Sequence, residues 1–142
     1  MADKKLMAVF EKIAEWNKIG RSELPEDMPD LCIDLLNEET NELIIAIQTG
    51  NFTEISDGIV DIIWILGSVI HTFGINLDSL ENYAKAVEDS NFTKYSKDKV
   101  AMSQYAQANG AFLEENDGWF FVKNASGKIM KGPFYKHPKE FL

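Results

Sequence analysis

Apolar residues recur at helical spacing through the first two thirds of the chain, then give way to short aromatic and β-branched runs. Leu6, Val9, Phe10, Ile13, Ala14 and Trp16 share one face of a first helix, Asp3 to Lys18, with Asp3 as N-cap, Trp16 and Asn17 at its end and Gly20 closing it. Pro25 and Pro29 break the loop GRSELPEDMPD. A second helix begins near Pro29 to Asp30 and runs to Thr49, with Gly50 as its C′ residue. A third starts at Asn51 to Thr53 and ends at Phe73. A fourth covers Leu77 to Asp89, with Leu77, Leu80, Tyr83, Ala84 and Val87 inward. After a polar connector, Val100 to Asn109 has a short helical pattern. The run GWFFVKNASGKIMKGPFY predicts a hairpin turning around Asn124 to Gly127, with irregular chain from Gly132 to Leu142. The elements predict an all-α fold: an antiparallel four-helix bundle with a small C-terminal β-hairpin. Residues 1–95 form the helical core and residues 96–142 an extension of the same domain.

Two of these helices carry acids where a core-facing stripe should be apolar. At about 100° per residue, Cys32, Leu35, Leu36, Leu43 and Ala46 all fall near Glu39 on the helical wheel. Glu42 lies on its flank and Glu38 further round. On the third helix, Glu54, Asp57, Trp64, Ile65, Ser68 and Thr72 cluster around Asp61, which interrupts the apolar run IVDIIWIL. The short connection from Gln48 to Asn51 makes the two helices antiparallel neighbours. Glu38, Glu39, Glu42, Glu54, Asp57 and Asp61 are then expected to converge in one cleft. An unpaired buried carboxylate is costly or takes up a proton. From Pro25 to Lys85 no basic residue except His71 is available to pair with them. Hard divalent cations, which accept all-oxygen ligand sets, are the natural compensation.

Composition narrows the picture. The 142 residues suffice for one domain with a real core, and the 45% apolar and 26% charged content is that of an ordinary soluble protein. A formal net charge of −9 argues against a general nucleic-acid binder. The acids concentrate before Asp89, and eight lysines from Lys94 to Lys139 crowd the final third, which suits a polyphosphate ligand over an acidic, cation-loaded cleft. The single Cys32 excludes an internal disulfide, fits a reducing, cytoplasmic setting and reads as a core residue. The start MADKKLMAVF has no signal-peptide pattern, and the apolar stretch Gly58 to Ile70 reads as too short to span a bilayer.

Glu38-Glu39-x-x-Glu42 and Glu54-x-x-Asp57-x-x-x-Asp61 are weak signals singly and much more specific together. With these motifs the chain resembles the all-α nucleoside triphosphate pyrophosphohydrolases of the MazG superfamily, most closely their phosphoribosyl-ATP pyrophosphohydrolase-like branch. The Gly74-Ile75-Asn76-Leu77 turn, the element Ser90-Asn91-Phe92-Thr93-Lys94 and the tail from Gly127 to Tyr135 with Pro138 continue the likeness. Three departures bear on base preference and phosphate contacts. Trp64 stands where Tyr is usual, Glu88-Asp89 replaces a His-Arg pair, and the insert from Tyr95 to Asp117 is long.

The resemblance implies hydrolysis of a (d)NTP to the monophosphate and pyrophosphate, with Mg²⁺ as cofactor and Mn²⁺ as substitute. By the resemblance the metal ligands are Glu39, Glu42, Asp57 and Asp61, with Glu54 close behind. Glu38 is a ligand or the base that takes the proton from the attacking water. Asn91 and Lys94 are expected to contact substrate, with Trp64, Lys128 and Lys131 as further candidates. Exposed lysines, a helix C-cap and simple bundle packing are the plain alternatives for these five. Alternative functions are phosphoribosyl-ATP hydrolysis and a catalytically silent metal- or nucleotide-binding module. The expected partners are the nucleotide and further copies of the chain, as a homodimer or homotetramer, with neither nucleic acid nor membrane.

Overall fold

The structure, a computed structural model, describes residues 2–142 other than Ser22 and Leu24, with side chains from Lys5 onward. It is mostly helical. Five helices, α1 (Ala2–Gly20), α2 (Met28–Thr49), α3 (Phe52–Thr72), α4 (Leu77–Phe92) and α5 (Lys99–Ala108), precede an antiparallel hairpin of β1 (Phe112–Asn116) and β2 (Trp119–Lys123). A 3₁₀ turn, Pro138–Phe141, lies in the tail read as irregular. Asp3, expected as the N-cap, lies inside α1, which already begins at Ala2.

Helix ends follow local chemistry. Gly50 closes α2 at φ 67°, a left-handed conformation that glycine adopts without a side-chain clash. Asn51 Oδ1 caps α3 by accepting the Glu54 N–H at 3.2 Å. Asn76 does the same for α4 through Ser79 N–H at 3.0 Å, and Asp98 for α5 through Ala101 N–H at 3.0 Å.

The chain forms two compact units, Met1–Ser79 and Leu80–Leu142. In the first, α3 lies between α1 and α2, which pack on it rather than on each other. Glycines on α3 permit both close approaches. A Cβ on Gly67 would meet Ile13 Cγ2 at 2.6 Å, and one on Gly58 would meet Leu43 Cβ at 3.2 Å. Cys32 is buried as expected, with its Sγ 3.7 Å from Thr72 Oγ1 across the α2–α3 seam. By length and composition alone α3 can cross a bilayer, being 21 residues long with a mean hydropathy of 1.4 over an 18-residue window, so the shorter apolar run understated it. Only 22% of that window is buried, and the helix carries a stripe of three acids and packs against both α1 and α2.

The buried face of α1 differs from expectation. Phe10 and Ile13 are buried, whereas Leu6, Val9 and Trp16 are more than two fifths exposed. Asn17 does not end the helix, which continues to Gly20; it is fully buried against α3. Its Nδ2 donates to Ile13 O at 2.9 Å and to Ser68 Oγ at 3.3 Å, and its Oδ1 accepts from Arg21 Nη1 at 3.1 Å. A buried amide is tolerated only with partners, so this network pins α1 to α3 in one register.

In the second unit, Met102 and Ala106 of α5 and Val122 of β2 form the core, with Tyr105, Leu113, Phe120 and Met130 around them. The hairpin turns at Asp117-Gly118, not around Asn124 to Gly127. Both residues have positive φ, 51° and 81°, as a two-residue turn matching the strand twist requires. The expected turn exists as a second reversal after β2. Asn124 N–H donates to Lys128 O at 2.9 Å and Met130 N–H to Val122 O at 2.7 Å, laying Ile129 beside Lys123. On α4 the most buried positions are Ala86 and Ser90; Tyr83 and Ala84, expected inward, are exposed.

Candidate metal centre

The α2–α3 seam brings most of the predicted acids together. Glu39 sits half-buried on α2 among Leu35, Leu36 and Leu43, also half-buried, with Cys32 and Ala46 buried on the same face. Its Oε2 is shut off from solvent and has no hydrogen-bond partner among the described residues. Burial and then the negative charge of Asp61, Glu42, Glu38 and Asp57, in that order, hold its carboxyl above the ordinary carboxylate value. Four acids therefore act on Glu39: Asp61 and Asp57 from α3, and Glu42 and Glu38 from α2. Glu54 is the exception. It lies exposed in the first turn of α3, two turns before Asp61, and is not among the charges that act on Glu39. Its position suits the positive end of the helix dipole.

A carboxylate oxygen buried without a donor is normally avoided, and an all-anionic, all-oxygen donor set is the kind that suits a hard divalent cation. Among the described residues no three acids, histidines or cysteines already stand close enough to form a finished cage.

One consequence is measurable without substrate. In chelator, the folded state holds the Glu39 proton more tightly than the unfolded chain does, so it binds more protons above about pH 4.5. Stability then falls as pH rises from there through the raised folded value and levels off beyond it. Glu39→Gln lacks that loss. The variant should match wild type in acid and exceed it at neutral pH, as followed by denaturant unfolding at several pH values. Parallel curves for the two proteins would show that Glu39 carries no such strain.

Of the other candidates, Trp64 belongs to the first unit and Asn91, Lys94, Lys128 and Lys131 to the second. Trp64 lies one turn beyond Asp61, edge-on to Trp16 at 5.4 Å between ring centroids, with the Arg21 guanidinium 5.4 Å from the Trp16 ring. Both indoles are partly exposed, so Trp64 packs against α1 and still presents surface. Asn91 and Lys94 belong to the second unit and line a small pocket of about 370 Å³ with Phe92, Tyr95 and Ile129. Their neighbours Ser90 and Thr93 are structural. Ser90 Oγ donates to Lys136 O at 2.7 Å, and Thr93 Oγ1 accepts from Lys136 N–H at 3.0 Å, tying the tail to α4. Lys128 is exposed and contributes a backbone N–H to Asn124 Oδ1 at 3.0 Å. Lys131 Nζ lies over Tyr135, 4.9 Å from the ring centroid. The Asn17 network was missed in the sequence. Its one signal was an amide a helical turn beyond Ile13, on the same face.

The 67 residues that match the Uncharacterized protein L479 of Acanthamoeba polyphaga mimivirus are 34% identical and cover 47% of this chain but 26% of that relative. No solved structure matches. The model of the phosphoribosyl-ATP pyrophosphohydrolase family matches residues 4–91, which include α2, α3 and all six acids. The chain belongs to the phosphoribosyl-ATP pyrophosphohydrolase family.

Proposed function

We propose that the protein is a Mg²⁺-dependent nucleoside triphosphate pyrophosphohydrolase that cleaves a (d)NTP to its monophosphate and pyrophosphate. The observation that carries this reading is the partnerless, buried Glu39 Oε2 among four further acids. Glu39, Glu42, Asp57 and Asp61 would hold Mg²⁺ or Mn²⁺, with Glu54 joining only if the first turn of α3 contributes. The cation would supply charge neutralisation for the triphosphate and a more acidic attacking water. Glu38, exposed on α2, would take the proton from that water or complete the ligand set. Trp64 is a candidate nucleotide contact on the first unit, and Asn91, Lys94, Lys128 and Lys131 are candidate nucleotide contacts on the second.

The family's own name favours a second substrate of the same chemistry, phosphoribosyl-ATP. Chromatography of products from the dNTPs, the NTPs and phosphoribosyl-ATP, with Mg²⁺ and with Mn²⁺, decides between them. Monophosphate plus pyrophosphate from dNTPs supports the first reading. Turnover of phosphoribosyl-ATP alone selects the second. No turnover of any of them sinks both.

We further propose a homodimer or homotetramer, in which a second copy completes the bundle that α1, α2 and α3 begin. Ile33, Ile44, Ile45 and Ile47 on α2 and Ile59, Val60 and Leu66 on α3 are each more than a third exposed. Apolar exposure on that scale marks an interface. Sedimentation should show an oligomer at micromolar concentration; a stable monomer would refute this. The lone reduced Cys32 fits a cytoplasmic setting.

A further inference from the structure

The hairpin departs from the usual rule for a small two-stranded sheet. One face should cover the core and the other should be polar. On β2, Phe120 and Val122 face the α5 core. Alternation puts Trp119, Phe121 and Lys123 on the opposite face. There they line an open cleft of about 560 Å³ with Asn116, Phe92, Tyr95 and Ile129. Four of its seven lining residues are aromatic, and Trp119 and Phe92 remain 45% and 66% exposed.

The cleft is built rather than accidental. Ser96 and Phe120 exchange backbone hydrogen bonds at 3.0 and 2.8 Å, which fixes the Tyr95 segment to the hairpin. Tyr95 meets Phe121 edge-on at 5.5 Å between centroids, and Phe92 lies 6.4 Å from Tyr95. The Asp117-Gly118 turn holds Asn116 opposite Trp119. Volume, aromatic walls and one amide at the edge are the features of a site for a flat organic ring.

Charge adds the second half of the ligand. Lys97 Nζ sits 4.9 Å from the Trp119 ring centroid, and Lys123 Nζ 5.4 Å from that of Phe121, although Lys123 also pairs with Glu114 at 2.8 Å. Phe92, Tyr95 and Ile129 are shared with the adjoining pocket that Asn91 and Lys94 line. Among the described residues lining these two spaces there is no acid, whereas Asp89 lines a further pocket that shares Phe92, Tyr95 and Trp119. An anion attached to the ring is therefore favoured at the Lys94 end, away from Asp89.

We propose that this cleft in the second unit binds a nucleoside monophosphate without metal, its base among Trp119, Phe121, Tyr95 and Phe92 and its phosphate on the Lys94 side. The choice of a nucleotide over other flat anions rests on the proposed reaction, which yields that product.

The test is calorimetric titration of the full chain with nucleoside monophosphates in excess chelator. One molecule per chain should bind. Trp119→Ala should weaken binding about tenfold or more, the effect of removing a stacking ring. Ile129→Trp, which fills the cleft without removing a ring, should do the same in a protein that melts normally. Asp61→Ala should bind as wild type does. Wild-type affinity in both Trp119→Ala and Ile129→Trp overturns the proposal. So does loss of binding in Asp61→Ala, or equal binding of inorganic phosphate alone. Binding of a short single strand but of no mononucleotide also overturns it. Binding that survives while every triphosphate resists hydrolysis would refute the enzyme reading and leave the cleft standing. Hydrolysis without cleft binding would do the reverse.

Discussion

Asp61→Ala should abolish metal-dependent turnover, by at least about a hundredfold, and leave the helical unit folded; changes outside the ligand shell already cost about 10–100-fold in metal sites. Asp61 is half-buried in mid-helix, where no cap or dipole accounts for a carboxylate. Among the charges that raise the Glu39 value it is the largest. Removing it takes away a like charge, and alanine is the strongest helix former. Melting in chelator at neutral pH should therefore be unchanged or higher than wild type. Turnover and stability move in opposite directions here, which separates a lost site from a lost fold. Wild-type kcat in the variant would show that the reaction runs without this acid and that the acidic seam is not the site.

The acid pattern was readable in the sequence because helical angles are local. Glu39 between leucines and Asp61 inside IVDIIWIL needed only the period of the helix and the short break after Thr49. What the wheel could not supply was depth. It put Glu54 on the Asp61 stripe, but Glu54 is exposed and, unlike Asp57, is not among the charges that act on Glu39. It put Trp16 inside, but α1 meets α3 through Ile13 and Asn17, a contact chosen by the bare backbone of Gly67 on the far partner. The hairpin was misplaced for a different reason. Asp117-Gly118 between two five-residue runs was the stronger turn signal, and the Asn124 to Gly127 reversal downstream competed with it. The aromatic outer face of β2 follows at once from the correct turn, because period-two alternation then separates Trp119 and Phe121 from Phe120 and Val122.

Gly67→Ala should destabilise the protein by about 1–3 kcal/mol, the range for forcing a methyl into a filled core, against a helix-propensity gain of at most about 1 kcal/mol. The added Cβ would stand 2.6 Å from Ile13 Cγ2, 2.7 Å from its Cδ1 and 2.9 Å from its Cβ. Ile13 is fully buried and, being β-branched in a helix, has essentially one χ1 rotamer, so it cannot swing aside. Moving α1 instead would stretch the 3.3 Å bond from Asn17 to Ser68, the residue next to Gly67. The contrast is Gly58→Ala, where the new methyl would meet Leu43 Cβ and Cδ1 at 3.2 Å and a smaller shift suffices. Denaturant unfolding in chelator measures both. A double-mutant cycle adds the decisive comparison. Ile13→Ala alone should cost about 2–5 kcal/mol, and in the Gly67→Ala background it should cost less, because the cavity receives the new methyl. If Gly67→Ala instead stabilises the protein, as at an open helical glycine, then α1 does not cross α3 at this residue. The Asn17–Ser68 pinning would fall with it.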